Sequence, residues 1–242
     1  MKRIFLLITL AAMKLSVFSQ DMPVVDKINT SSGIVEMRFI GHGSLMFSIN
    51  NFVIYIDPVR TSGSYENLPK ADMILVTHEH GDHLDPDLIK TLRKDATIMF
   101  SNENAAASVS WTKVMKAGDI NIVNGITIMA VPAYNIKNLR APGQPFHPKG
   151  VGNGYVITIG DKKFYVAGDT ENIPEMKNLK NIDVAFLPMN LPYTMTPEMV
   201  ADAAKSFNPA ILYPYHYGNT NTEEIVNLLK NSGIEVRIRN LK

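Results

Sequence analysis

Hydrophobic positions beyond residue 33 fall into short runs, several with a two-residue period. Ile34 to Ile40, Leu45 to Ile49 and Phe52 to Ile56 are separated by Gly41–Gly43 and Asn50–Asn51. They read as consecutive antiparallel strands. Met73 to Val76 is a further apolar run that ends at Thr77. The pattern then turns helical: Asp85 fits an N-cap, Pro86 the first helical position, and Leu88, Ile89 and Leu92 form an apolar stripe. Thr97–Phe100 reads as the next strand and Ala105–Val109 as a small helical segment. Ile120–Val123 and Ile126–Val131, joined by Asn124-Gly125, predict a hairpin.

Residues 132–153 break this rhythm. They hold Pro132, Pro142, Gly143, Pro145, Pro148, Gly150 and Gly152. A loop of that length inside a compact domain is often functional. Tyr155–Ile159 and Lys163–Val166 form a second hairpin around Gly160-Asp161, and Val184–Leu187 and Ala210–Tyr213 are further strands. Thr196-Pro197-Glu198 starts one helix. Thr220 and Glu223 make a capping box for the last, which Gly233 is expected to end. The pattern predicts one α/β domain with two sheets in the middle and helices outside.

The first nineteen residues differ from the rest. Lys2 and Arg3 precede a short apolar run, Ile4–Met13, and a small polar stretch leads to Gln20. This is the layout of a secretory signal peptide over residues 1–19, with the domain spanning 20–242 and the destination periplasmic or extracellular. The run is too short to cross about 30 Å of hydrocarbon comfortably, so no stable membrane span is expected after cleavage. Residues 1–19 carry three basic side chains and no acid, which leaves 21 basic and 23 acidic residues, a net charge of −2. There is no basic footprint of a nucleic-acid binder. The absence of Cys excludes thiolate metal ligands and a cysteine nucleophile.

The chemistry is concentrated in His78-Glu79-His80-Gly81-Asp82-His83, directly after a predicted strand. Imidazole and carboxylate are ligands for zinc and similar divalent ions. His78 and His80, two apart, can reach one ion together, whereas the adjacent Asp82 and His83 point apart and suit a second. Gly81 is expected to permit the sharp backbone path. The alternative, a polar surface loop with histidines by accident, does not account for three imidazoles and a carboxylate at ligand spacing.

With that motif in view, the chain resembles the metallo-β-lactamase superfamily, whose hallmark is H-x-H-x-D-H after a strand. The likeness runs from about Ile34 to the C-terminus. Gly168-Asp169-Thr170 and Tyr215-His216-Tyr217-Gly218 match later motifs. Gly41-His42-Gly43-Ser44, Ile56-Asp57-Pro58 and Pro132-Ala133-Tyr134-Asn135 look like the branch of hydrolases similar to ascorbate-6-phosphate lactonase and N-acyl phosphatidylethanolamine phospholipase D. The resemblance implies a four-layer αββα sandwich with two divalent ions, zinc first and manganese or iron as alternatives. It implies that His78, His80 and a further histidine bind one ion, that Asp82, His83 and His216 bind the other, and that Asp169 bridges them. A hydroxide between the ions would be the nucleophile, with Asp82 and Asp169 holding it and carrying its proton. Many relatives carry the remaining histidine soon after a Pro-Ala pair, where this chain has Tyr134 and Asn135. His147 is the histidine available in that interval, with a plain loop residue as the alternative reading.

Other candidates have a structural reading beside the functional one. His42 is a turn residue or a hydrogen-bond donor at the edge of the site. Asp57 is a cap or holds a ligand histidine in the right tautomer. Tyr134, Asn135 and Tyr193 are packing residues or substrate contacts, and Lys137, Arg140 and Lys149 either face solvent or favour an anionic small-molecule substrate. The expected reaction is hydrolysis of an ester, lactone, amide or phosphoester. A non-catalytic metal-binding or sensing protein and a phosphodiesterase or nuclease of the same fold are the competing readings. A di-iron redox reading fits poorly, because such relatives tend to carry glutamate where this chain has His80.

Overall fold

A computed structural model describes residues 24–242. The expected signal segment lies outside the described residues. The first sheet contains, in chain and spatial order, β1 (Val25–Thr30), β2 (Gly33–Gly41), β3 (Ser44–Ile49), β4 (Phe52–Ile56), β5 (Ala71–Leu75), β6 (Arg93–Ser101) and β7 (Lys113–Val114). Then come β8 (Ile120–Val123), β9 (Ile126–Ala133), a small hairpin β10 (Leu139–Ala141) and β11 (Gln144–Pro145), β12 (Gly152–Ile159), β13 (Lys162–Val166), β14 (Val184–Pro188), β15 (Ile211–Tyr215) and β16 (Glu235–Val236). The second sheet has the order β16-β15-β14-β13-β12-β9-β8. Each sheet is antiparallel in its first half and parallel in its second.

Alternation explains the inner layer. Val35, Met37 and Phe39 of β2 face inward, while Glu36 and Arg38 face out. With Phe47, Ile54, Tyr155, Phe164, Phe186 and Tyr213 from both sheets they form one core between the sheets. Strand β14 has no alternation, since all five of its residues are buried. This is the expected pattern for a parallel strand covered on both faces. Its outer face is covered by α3 (Pro197–Phe207) and α4 (Thr222–Leu229), and the outer face of the first sheet by α1 (Pro86–Leu92) and α2 (Glu103–Ala106). The layers are therefore α, β, β and α, as the sequence resemblance implies.

Several local expectations need correction. The cap of α4 is Asn221, whose side chain accepts from Glu223 N at 3.1 Å; the Thr220 N–H is spent on Tyr217 O. That helix ends at Leu229, and Gly233 lies in a turn beyond it at φ +81°. The small helix starts at Glu103, because Asn102 caps it. Strands β1, β7 and β16 are not foreseen from pattern: β1 is a half-buried edge, and the other two have two residues each. Asp85 does cap α1, accepting from Leu88 N, and it also pairs with Arg60.

Polar bonds tie the two sheets together beneath the strand ends. The Tyr155 hydroxyl on β12 donates to Val76 O at 2.8 Å, Asn153 N donates to Thr77 O, and Asn153 Nδ2 donates to Met115 O. Tyr155 is fully buried. Replacing it by Phe leaves the Val76 carbonyl unpaired, so Tyr155→Phe is expected to lower stability by about 1–3 kcal/mol. Urea unfolding of the metal-free protein measures this, and an unchanged midpoint would show that the inter-sheet bond contributes nothing.

Candidate metal centre

Asp57, the 77–83 loop, the 134–147 loop, Asp169 and His216 all follow strand ends at one edge of the sandwich. Asp57 follows β4, Thr77 and His78 follow β5, Asp169 follows β13 and His216 follows β15. The carboxyl ends of parallel strands are where such folds place ligands. Their donor atoms fall into groups. His78, His80 and His147 form one, His42, Asp82, His83 and His216 form a second, and His78, His83 and Asp169 link them, with ligand atoms in each group within 4.8 Å of one another.

Asp169 reaches both groups. Its Oδ2 lies 3.2 Å from His147 Nε2, 3.9 Å from His78 Nε2 and 3.5 Å from His216 Nε2, and its Oδ1 lies 3.3 Å from His83 Nε2. Asp82 Oδ2 lies 3.5 Å from His216 Nε2 and 4.0 Å from His83 Nε2. His80 turns Nδ1 inward, 3.1 Å from His78 Nε2 and 3.2 Å from His147 Nε2.

The ring tautomers are set from behind. Asp57 is fully buried and accepts from Thr77 N, Thr77 Oγ1 and His83 Nδ1 at 2.7, 2.7 and 2.8 Å. A carboxylate only accepts, so His83 carries its proton on Nδ1 and presents Nε2 to the cluster. Thr77 Oγ1 donates to Asp57, which leaves it to accept from His78 Nδ1 at 3.0 Å. One carboxylate thus orients a histidine in each group. Asn135 does the same for His147: its Oδ1 accepts from His147 N at 2.7 Å and from His147 Nδ1 at 2.8 Å. The backbone N–H can only donate, which fixes the amide orientation and leaves His147 Nε2 free to bind an ion.

Electrostatics agree with a ligand set. Burial holds His78 and His80 below the usual imidazole range, so their lone pairs are available. Burial opposes ionisation of Asp169, yet His216 and His83 keep its carboxyl well below the carboxylate range. Burial likewise opposes Asp82, but the neighbouring His216 and His42 imidazoles hold it low. Burial also works against a charged His83, but Asp169 and Asp57 raise it well above its ordinary value. Without metal, these two carboxylates favour the charged form of His83.

The atoms left over are the test of fit for a cation. His83 Nε2, Asp169 Oδ1 and His216 Nε2 are buried with no hydrogen-bond partner among the described residues. Orphaned buried polar atoms cost about 1–3 kcal/mol each, and convergent orphans of ligand type fit a cation.

Backbone strain and close packing mark the same edge. His42, Asp57 and His216 have φ of +52°, +44° and +48°, in the left-handed region that side chains rarely adopt. Gly43 lies against the His83 ring, where a Cβ would sit 2.8 Å from Cε1. The expectation for Gly81 is not met: its φ is not positive, and an added Cβ would meet nothing within 4 Å.

The remaining sequence candidates divide. Tyr193 and His42 line an open cleft of about 520 Å³ over the cluster, with Arg140, Phe146 and Asn190. His42 Nε2 lies 3.2 Å from Asp82 Oδ2. Tyr134 does not line this cleft; it is buried and donates to Glu175 Oε2. Lys149 pairs with the same Glu175, and Lys137 is exposed outside the cleft. Sequence reasoning missed Thr77, Glu79, whose carboxylate holds Asn102 and Asn104, and Glu171, a buried carboxylate beneath the 134–147 loop. The position of Glu171, two residues after Asp169, was the only signal available for it.

A model of the beta-lactamase superfamily domain matches residues 36–216. The chain belongs to the beta-lactamase superfamily. Among relatives within it, a crystal structure of a chain assigned as a metal-dependent hydrolase from Parabacteroides distasonis is 48% identical, with a TM-score of 0.87 and coverage of 91% of this chain and 100% of that one. A UPF0173 metal-dependent hydrolase of Bacillus thuringiensis is 30% identical over 76% of this chain and 86% of its own length. Igni18, a metallo hydrolase from Ignicoccus hospitalis, is 24% identical with a TM-score of 0.72 and coverage of 86% and 95%, a likeness of fold. This member of the superfamily is a metal-dependent hydrolase with a His/Asp cluster suited to metal ions.

Two outcomes follow from the geometry. Asp57→Ala removes the acceptor behind two imidazoles and is expected to weaken metal binding about 10–100-fold, read by chelator competition; unchanged affinity would remove Asp57 from the site. Because Asp169 and Asp57 raise the His83 pKa, a metal ion has to compete with a proton for its Nε2. Uptake should therefore release a proton and weaken as pH falls, and calorimetry in buffers of different ionisation enthalpy reads that proton directly. No proton release would contradict the His83 assignment.

Proposed function

We propose that this chain is an exported hydrolase that holds two divalent ions, zinc in the first instance, and cleaves an ester, lactone, amide or phosphoester. The observation that carries the reading is the pair of donor groups joined through the two oxygens of Asp169. In it, His78, His80 and His147 hold the first ion, and Asp82, His83 and His216 the second. Bound there, such ions supply Lewis acidity and lower the pKa of water to near neutral.

The chain's own residues do the rest. Asp57 and Asn135 keep the ligand imidazoles in the tautomer that offers a lone pair. Asp169, ionised and buried, sits between the groups to hold the attacking water. Asp82 has a half-exposed side chain facing the cleft and is placed to accept a proton and pass it to solvent. The cleft volume is within the range of small-molecule sites, which favours turnover over metal storage.

Arg140 is the one Lys or Arg that lines the cleft among the described residues, and its guanidinium lies over the Phe146 ring at 5.6 Å. An anionic substrate suits it. No described helix is long and apolar enough to cross a membrane. Export rests on the sequence of residues 1–19; protein recovered outside the cytoplasm should begin at Gln20, and full-length chain retained inside would rule export out.

A panel of chromogenic esters, lactones and phosphodiesters, run with and without chelator, tests the activity. Chelator-sensitive turnover of at least one is expected, with lower KM for anionic members and loss of that preference in Arg140→Gln. Equal KM for charged and neutral members would remove the anionic class, and no turnover would favour a binding protein. His147→Ala should reduce bound metal from two ions to one per chain; two ions still bound would sink its assignment.

A further inference from the structure

We propose that Glu171 is a positioning residue for the first ion, acting through Asn135 on His147. The inference rests on the two-ion reading above and adds to it a carboxylate that touches neither ion nor substrate.

Glu171 is 1% exposed and has no ion-pair partner among the described residues. Its oxygens are engaged instead by the loop that carries His147. Oε1 accepts from Asn138 N at 2.6 Å, Lys137 N at 3.0 Å and Asn135 Nδ2 at 3.4 Å, and Oε2 accepts from Lys137 N at 3.1 Å. Glu171 N donates to Tyr134 O at 3.0 Å, which closes the loop onto the strand end that bears Asp169. Backbone N–H groups turned away from water need acceptors, and this side chain supplies one for the consecutive residues Lys137 and Asn138.

Asn135 is the relay. Its amide nitrogen donates to Glu171 and to Tyr193 O at 2.9 Å, and its amide oxygen accepts twice from His147. Asn135 N donates to His147 O at 2.8 Å. Asn138 Nδ2 donates to Thr194 O at 2.6 Å, so the same hub fixes the loop that carries Tyr193. The loop between the anchors, residues 136–146, contributes Arg140 and Phe146 to the cleft. Glu171 therefore holds in register the histidine that completes the first group and the side chains that frame the cleft. The β10–β11 hairpin in this loop pairs with neither large sheet, so its ladder does not tie His147 to the sandwich, and the buried acceptor takes over that role.

Chemistry separates the variants. Gln keeps the oxygen that takes three of the four contacts if its NH2 occupies the Oε2 position, which serves only the shared Lys137 bond. Ala removes all four. Metal-free wild type, Glu171→Gln, Glu171→Ala, Asn135→Ala and His147→Ala would be titrated with Zn²⁺ against a chromophoric chelator, alongside thermal melts. Glu171→Ala and Asn135→Ala are expected to weaken one ion by about 10–100-fold, the ion that His147→Ala abolishes, and to leave the other unchanged. Glu171→Gln should stay near wild type. Two ions at wild-type affinity in Glu171→Ala, or both ions weakened in parallel with Tm, would overturn the proposal. If Glu171→Ala does not fold, Glu171→Asp, which keeps the charge but draws the carboxylate back by one methylene from its donors, decides in the same way: loss confined to the first ion supports the proposal and wild-type affinity for both ions overturns it. A wild type that binds fewer than two ions would contradict the two-ion reading instead. In that case the His147 imidazole N–H proton signal of metal-free protein decides: sharp in wild type and Glu171→Gln but lost in Glu171→Ala supports the positioning role, and unchanged in Glu171→Ala overturns it.

Discussion

The Asp57 carboxylate is the interaction on which the rest of the site depends. It is fully buried, sits in a left-handed turn at the end of β4, and meets a backbone N–H, a hydroxyl and an imidazole. Those three bonds fix the start of the 77–83 loop and set the tautomer of His83 directly and of His78 through Thr77. Without that carboxylate, His78 and His83 would be free to rotate or to protonate on the wrong nitrogen. The left-handed backbone at His42, Asp57 and His216 is the conformational cost of bringing these groups together, and the stability of the two-sheet core offsets it.

The fold explains why one edge carries everything. Each sheet changes from antiparallel to parallel midway, and the parallel strands β5, β14 and β15 are buried on both faces. Their ends all point the same way, so the loops after them converge. Asp169 and His216 come from the second sheet and the 77–83 histidines from the first. The Tyr155 and Asn153 bonds tie the sheets beneath that seam. A ligand set divided between two sheets is only as precise as their registration.

Much of this was legible in the sequence because it rests on local pattern. The alternation of β2, the apolar run of β3, the Asn124-Gly125 hairpin and the caps at Asp85 and Thr196 need only neighbours in the chain, and all are present. The histidine motif was equally plain. Features set by tertiary contact were not. Edge strand β1 lacks a strong apolar pattern, and the cap of α4 shifted by one residue because Thr220 is held in the preceding turn. Tyr134 reads like a site residue from its neighbours, yet it packs behind the sheet against Glu175. Gly81 needs no special backbone, while Gly43, read in sequence only as part of a turn motif, is pressed against His83. Glu171 carries no motif, and its role exists only once the 134–147 loop has folded over it.

The central claim is that two ions sit in this cluster, joined by Asp169. Anomalous diffraction from zinc-loaded crystals tests it most directly. Two peaks about 3.5–4 Å apart are expected, one against His78, His80 and His147 and the other against Asp82, His83 and His216, with Asp169 between them. A single peak at full metal loading, or peaks away from these side chains, would contradict it.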